Sequence, residues 1–92
     1  MKNKVAVITG GSSGIGEALA YKFSEENFNV VITGTNKDRL NNVLSKIKKN
    51  GVSCEGVIHD ISSSNDVKKM VDISIRKFGR IDVLICLSLI HI

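Results

Sequence analysis

The residues of this chain best suited to chemistry lie close to its start. Thr9-Gly10-Gly11-Ser12-Ser13-Gly14-Ile15-Gly16 interleaves glycine with hydroxyl side chains, between a short apolar run and an amphipathic one. Such a turn at the mouth of a helix bares backbone amides in a region of positive dipole potential, which suits a bound phosphate. Gly10 permits the sharp turn, Gly14 lets the backbone approach a diphosphate, and Gly16 lets the helix pack closely on the preceding strand. Ser12 and Ser13 add hydroxyls within reach of phosphate or ribose. Two other phosphate loops are excluded by residue type. A P-loop needs Lys and then Ser or Thr after its last glycine, whereas Glu17-Ala18 follow Gly16. The Gly-x-Gly-x-x-Gly fingerprint needs glycine where Ser12 and Ile15 stand. A purely structural turn is the plain alternative, but the place of the loop, after a strand and before a helix, argues for a ligand.

Two more segments carry candidate binding residues. Asp60 follows an apolar run, and an acid just past a parallel strand lies at the carboxyl edge, where ligands gather. A helix-preceding cap is the competing role for Asp60, since Ser62 and Ser63 follow closely. The second segment is Gly34-Thr35-Asn36-Lys37, after another apolar run. An acid there would hydrogen-bond a ribose 2′-hydroxyl and repel a 2′-phosphate, and none occurs before Asp38. Thr35, Asn36 and Lys37 could instead hold a 2′-phosphate by hydroxyl, amide and charge. No metal site is expected. Cys54 and Cys86 form no Cys-x-x-Cys pair, and neither His59 nor His91 stands at ligand spacing from them. Both thiols read as small core residues kept reduced in cytosol.

The elements that must position these residues alternate along the chain. Lys4 to Thr9 reads as a buried strand that ends at Gly10-Gly11. From Gly14 to about Glu26, Ile15, Ala18, Leu19 and Phe23 recur at helical spacing. Asn29 to Thr33 is a second strand. Leu40, Val43, Leu44 and Ile47 then mark one face of a helix from about Asn36 to Asn50, which Gly51 stops. Ser53 to Ile58 is a third strand. Ser63-Ser64-Asn65-Asp66 resembles a capping box opening a helix that carries Val67, Met70, Val71 and Phe78 and ends at Gly79. Ile81 to Ile85 is a fourth strand. Strands apolar on both faces, alternating with helices, imply a parallel sheet covered by helices. Right-handed crossovers then limit the topology to a doubly wound α/β sheet, and strand order 3-2-1-4, part of a Rossmann-type fold, is expected.

Composition narrows the class of partner. With 92 residues the chain is at most one domain, and 42% hydrophobic with 24% charged residues argues against disorder. No apolar run approaches the ~18 residues of a membrane span. The run after Met1-Lys2-Asn3-Lys4 is too short for a signal-peptide core of about 7–15 residues. A cytoplasmic, membrane-free protein is expected. The net charge of +4 comes from thirteen dispersed basic residues interleaved with nine acidic ones, and the densest cluster, around Lys46, Lys48 and Lys49, has no aromatic neighbour. Nucleic acid is therefore not an expected partner.

The Thr-Gly-x-x-x-Gly-x-Gly spacing from Thr9 to Gly16 resembles the short-chain dehydrogenase/reductase family in its compact branch. Three further stretches carry the same resemblance. "VVITGTNKDRL" is similar to the family's second strand and following turn, "HDIS" at 59–62 to its adenine-contacting segment, and "FGRIDVLI" at 78–85 to the stretch before its fourth-strand motif. Together they span residues 3–86. The resemblance implies an NAD(P)-dependent oxidoreductase. Gly10, Ser12, Ser13, Ile15 and Gly16 would line the pyrophosphate and nicotinamide-ribose side. Asp60 would accept from the adenine amino group, with the Ile61 amide alongside. Thr35 stands where many NADP-preferring relatives carry Arg, so NADP is preferred only by the missing acid, with NAD the alternative.

The family's proton-transferring tyrosine and its lysine come from a Tyr-x-x-x-Lys segment well downstream. The sole tyrosine here, Tyr21, has Glu25 four residues on and sits on the first helix among core positions, a packing role. No catalytic residue is therefore assigned, and the fragment is expected to be inactive. The family's usual Asn-Ala-Gly is replaced after Cys86 by Leu87-Ser88-Leu89-Ile90-His91-Ile92. Those residues are also the translation of CTG TCT CTT ATA CAC ATC, which resembles a transposon end used as a sequencing adapter. Residues 1–86 are thus expected to be a truncated dinucleotide-binding domain and 87–92 a non-native tail. With few helices and an uncovered fourth strand, the isolated chain is expected to be poorly stable.

The expected reaction is carbonyl/alcohol interconversion by hydride transfer on a small-molecule or acyl substrate, for example of the 3-oxoacyl reductase kind. Enoyl or dienoyl thioester reduction and a non-catalytic nucleotide-binding regulator are the alternatives. The full-length protein is expected to be a homo-oligomer, as relatives commonly are.

Overall fold

A computed structural model describes residues 3–9, 14–34, 36–58 and 66–86, the side chains of Asp66, Val67 and Cys86 excepted. Seven elements follow one another: β1 (Val5–Thr9), α1 (Gly14–Glu25), β2 (Asn29–Gly34), α2 (Lys37–Lys48), β3 (Cys54–Ile58), α3 (Asp66–Phe78) and β4 (Val83–Cys86). The strands form one parallel sheet in the order β3-β2-β1-β4, the expected one. In register, Val7 stands between Val31 and Leu84, and Gly34 pairs with Ile58.

β1 is apolar from Val5 to Ile8 because it lies between two strands and under helices on both faces. Val5, Ala6, Val7 and Ile8 are all fully buried. Burial of that kind contributes about 1.5–3 kcal/mol for each large aliphatic side chain. Ile8, Val30, Ile32 and Cys54 face α1 and α2, where Ala20, Leu40, Val43 and Ile47 complete the cluster. Val5, Val7 and Val31 face α3, which inserts Met70. Leu84 on the edge strand β4 is 44% exposed.

Helix α1 does not bury the stripe that its periodicity suggests. Ile15 and Ala18 point outward, and the buried positions are Gly16, Ala20 and Ser24, four residues apart. The physical reason is close approach. A helix lying tightly on the sheet needs small residues at the contact line, while Leu19, Tyr21 and Phe23 flank it partly buried. Ser24 is satisfied there, donating to the Tyr21 carbonyl (2.7 Å) and accepting from Asn50 Nδ2 (2.8 Å), which ties the end of α2 to α1. Gly51 terminates α2 as expected, with φ of 82° in the left-handed region that favours glycine.

The fourth strand begins two residues later than expected, at Val83. Asp82 is used differently: its carboxylate accepts from the Val5 amide (2.8 Å), and its own amide donates to the Val5 carbonyl (2.9 Å). Ile81, also expected in the strand, packs against the α3-side cluster instead. The capping segment at 63–65 lies outside the described residues, as do residues 87–92 and the proposed tail boundary.

Candidate nucleotide-binding site

Every strand runs in the same direction, so the carboxyl ends of β1 and β2 and the starts of α1 and α2 converge on one edge of the sheet. The chain leaves β1 for β2 on one side, while β4 lies on the other. That divergence makes the switch-point crevice where open α/β sheets receive ligands. Thr9 Oγ1 donates to the Ile85 carbonyl (3.5 Å), joining the two strands at this crevice.

Of the sequence-derived candidates, Gly14, Ile15, Gly16 and Asn36 are described. Gly10, Ser12, Ser13, Thr35, Asp60 and Ile61 lie outside the described residues. Gly14 opens α1, Ile15 beside it is 70% exposed, and Gly16 is buried where α1 lies on the sheet. An added Cβ at Gly14 would meet no described atom within 4 Å, and its φ is not positive. Neither packing among the described residues nor backbone geometry therefore requires glycine at that position. Among the described residues the space beside Gly14 is open, as close approach of a phosphate to the first amides of a helix would require.

Asn36 has a structural duty. It is the N-cap of α2, its Oδ1 accepting from the Arg39 amide at 3.0 Å, a bond that does not use the side-chain NH2.

A charged cluster that sequence reasoning did not single out joins the first turns of the two helices. Glu17 on α1 accepts from the Tyr21 hydroxyl (2.6 Å) and pairs with Arg39 on α2, Nη2 to Oε2 4.0 Å. The Lys46 ammonium lies 5.8 Å from the centre of the Tyr21 ring. Burial, and then the Glu17 hydrogen bond and charge, push the Tyr21 phenol up to about 12. Tyr21 is thus a poor proton donor held on α1, in agreement with a packing role. The one advance signal was that Glu17 and Arg39 each fall near a helix start. Their proximity depends on how α1 and α2 pack.

Among the described residues no group of three His, Cys, Asp or Glu side chains could hold a metal. No described helix is long and apolar enough to cross a membrane. Cys54 is a buried free thiol whose Sγ lies 3.7 Å from the Leu44 carbonyl, and burial raises its pKa.

Comparison with known proteins agrees with this arrangement. The sequence profile of the short chain dehydrogenase family matches residues 4–87, and the chain belongs to that family. It is 33% identical over 84 residues to tropinone reductase-like 3 of Erythroxylum coca, covering 91% of this chain and 33% of that protein. An uncharacterized oxidoreductase of Staphylococcus aureus is 38% identical over 85 residues, 92% of this chain and 36% of that protein. Among solved structures, NAD+-bound xylitol dehydrogenase superposes with a TM-score of 0.81 at 30% identity, over 90% of this chain and 32% of the other. The chain thus spans about a third of the length of these relatives.

Proposed function

We propose that the protein is an NAD(P)-dependent oxidoreductase that interconverts a carbonyl and an alcohol, and that residues 1–86 hold its dinucleotide. The observation that carries this reading is Gly14: a glycine at the start of α1 that the described protein atoms do not require, over amides at the switch-point crevice. The family, and the nicotinamide nucleotide bound in the xylitol dehydrogenase relative, support a cofactor of that class. When bound, the nicotinamide supplies or takes the hydride. This chain's residues bind and orient. Gly10, Ser12, Ser13, Gly14, Ile15 and Gly16 receive the diphosphate and nicotinamide ribose. Asp60 and Ile61 receive the adenine, and Thr35 and Asn36 the adenosine ribose.

NADP is the proposed cofactor in preference to NAD, because β2 ends in Gly34 with no acid to repel a 2′-phosphate. The substrate is proposed to be a small molecule or an acyl thioester, with 3-oxoacyl reduction as an example. The proton donor would come from sequence other than residues 1–86, since the Tyr21 phenol is committed to Glu17. A reducing, cytosolic setting suits a buried free thiol such as Cys54, and the full-length protein is proposed to be a homo-oligomer.

Titrating the intact protein with NADPH and NADH, followed by nicotinamide fluorescence, tests the reading. Binding of both with NADPH the tighter is expected. Affinity for neither would overturn the function, and an NADH preference would overturn the cofactor assignment.

A further inference from the structure

We infer that Asn50-Gly51 is a site of spontaneous deamidation, held in check by the fold through Ser24. It is the single Asn-Gly step in the chain, every other asparagine being followed by a larger residue. Glycine has no side chain to shield its amide nitrogen, and its backbone turns freely, so that nitrogen can reach the carboxamide carbon of the residue before it. The step lies just beyond α2, and both residues are exposed. A Cβ built on Gly51 would meet no described atom within 4 Å. Water and base therefore reach the reacting atoms.

The reaction needs only water. The Gly51 nitrogen gives its proton to solvent base and bonds to Asn50 Cγ, the Cγ–Nδ2 bond breaks, and ammonia leaves. Water then opens the five-membered imide at either carbonyl. One opening leaves aspartate, and the other leaves isoaspartate, with the main chain rerouted through the side-chain carbon. Asparagine and water become acid and ammonia, with nothing oxidised or reduced.

The folded chain ties down both reacting groups. The Gly51 N–H donates to the Lys48 carbonyl at 3.0 Å. Asn50 Nδ2 donates to Ser24 Oγ at 2.8 Å, and Ser24, fully buried, donates in turn to the Tyr21 carbonyl at 2.7 Å. Ring closure requires that Asn50 leave Ser24 and Gly51 leave Lys48, so the folded protein reacts through a local opening of the end of α2. The product then acts on the fold. A carboxylate only accepts, and the Ser24 proton is already given to Tyr21, so an acid at position 50 severs the link between α2 and α1. Its charge also opposes the dipole at the C-terminal end of α2.

The intact protein is incubated at mildly alkaline pH, folded and in urea, and followed by mass and by peptide mapping of the residue that becomes acidic. In urea the acid should form first at position 50, at equal rates in the parent and Ser24→Ala and far more slowly in Gly51→Ala. Earlier formation at another asparagine would overturn the site. The folded parent should react more slowly than the unfolded one. Loss of one ordinary hydrogen bond shifts an opening equilibrium by about two- to tenfold, so folded Ser24→Ala should react that much faster than the folded parent. Equal rates would overturn the control by Ser24. In the parent alone, the rate at low urea should rise in step with hydrogen exchange of the Gly51 amide, and rates that diverge would overturn the local opening. Asn50→Asp should lower the urea midpoint of the parent more than that of Ser24→Ala. Equal losses would overturn the severed link.

Discussion

Replacing Gly14 with alanine should move stability and ligand binding in opposite directions. The new methyl group would project into space where no described atom lies within 4 Å, from a backbone whose φ is not positive. Glycine loses more conformational freedom on folding than alanine, so the unliganded protein should gain about 0.4–1 kcal/mol. On the proposed function, the same methyl would stand where a diphosphate comes close to the α1 amides. Loss of one charge-assisted hydrogen bond there costs about 1.5–3 kcal/mol, or roughly ten- to hundredfold in affinity. The two effects make the order of stabilities cross. At nucleotide one hundred times above its dissociation constant, the parent gains about 2.7 kcal/mol from binding. A variant that binds about thirtyfold more weakly gains only about 0.9 kcal/mol at that concentration. Urea unfolding of parent and G14A, with and without NADPH, reads both quantities, provided the slopes agree. G14A should be the more stable protein without nucleotide and the less stable one with it. Stabilisation in both conditions would show that no phosphate approaches Gly14. Destabilisation in the unliganded protein would show that the glycine serves the fold.

Four other outcomes are expected. Asn36→Ala removes the N-cap acceptor of the Arg39 amide and should cost about 0.5–2 kcal/mol in urea unfolding, whatever its effect on nucleotide binding. Gly56→Ala would place a Cβ 2.6 Å from Leu44 Cδ1 and 3.2 Å from Leu40 Cδ2, so leucine side chains must shift, at about 1–3 kcal/mol. That cost should shrink when Leu44→Ala is present, and strict additivity would refute the contact. Arg80, and then the Val5 amide, hold the Asp82 carboxyl below its ordinary pKa. A depressed folded pKa stabilises above the unfolded value of about 3.9 and is lost as pH falls through the folded one. The stability gap between parent and Asp82→Ala should therefore narrow below about pH 4, in unfolding curves taken across pH. Tyr21 has the opposite sign. With its phenol raised to about 12, its contribution is intact below the unfolded value of about 10 and is lost as pH rises toward 12. Tyr21→Phe should flatten that alkaline decline, and an unchanged profile would refute it.

The legible parts of this chain were those written in local pattern. Runs such as Val5–Ile8 and Val30–Ile32 are apolar at every position, as strands buried on both faces are, and their alternation with helical stretches announced a parallel sheet before any contact was known. Gly51 marked the end of α2 because a glycine often takes up the left-handed backbone just past a helix, as it does here. The handedness of crossovers limited the topology to a doubly wound sheet, while the order β3-β2-β1-β4 among the doubly wound orders is what the structure shows. The spacing of glycines also marked where α1 starts, at Gly14.

What tertiary structure alone decided were distances between elements. Periodicity gave α1 an apolar face of Ile15, Ala18, Leu19 and Phe23, yet the contact line is Gly16, Ala20 and Ser24. How closely a helix settles on a sheet depends on both surfaces, so small residues won over large ones for a reason outside α1 itself. Asp82 fell inside the run expected as the fourth strand, whereas the fold uses its carboxylate to hold the first amide of β1, 77 residues away in sequence. The pairing of Glu17 with Arg39 likewise exists only because α1 and α2 lie side by side on one face. Local pattern says which residues form an element and which face is apolar. It carries no information on which charges from two separate elements meet, because that depends on packing depth and relative rotation, set by the whole core at once.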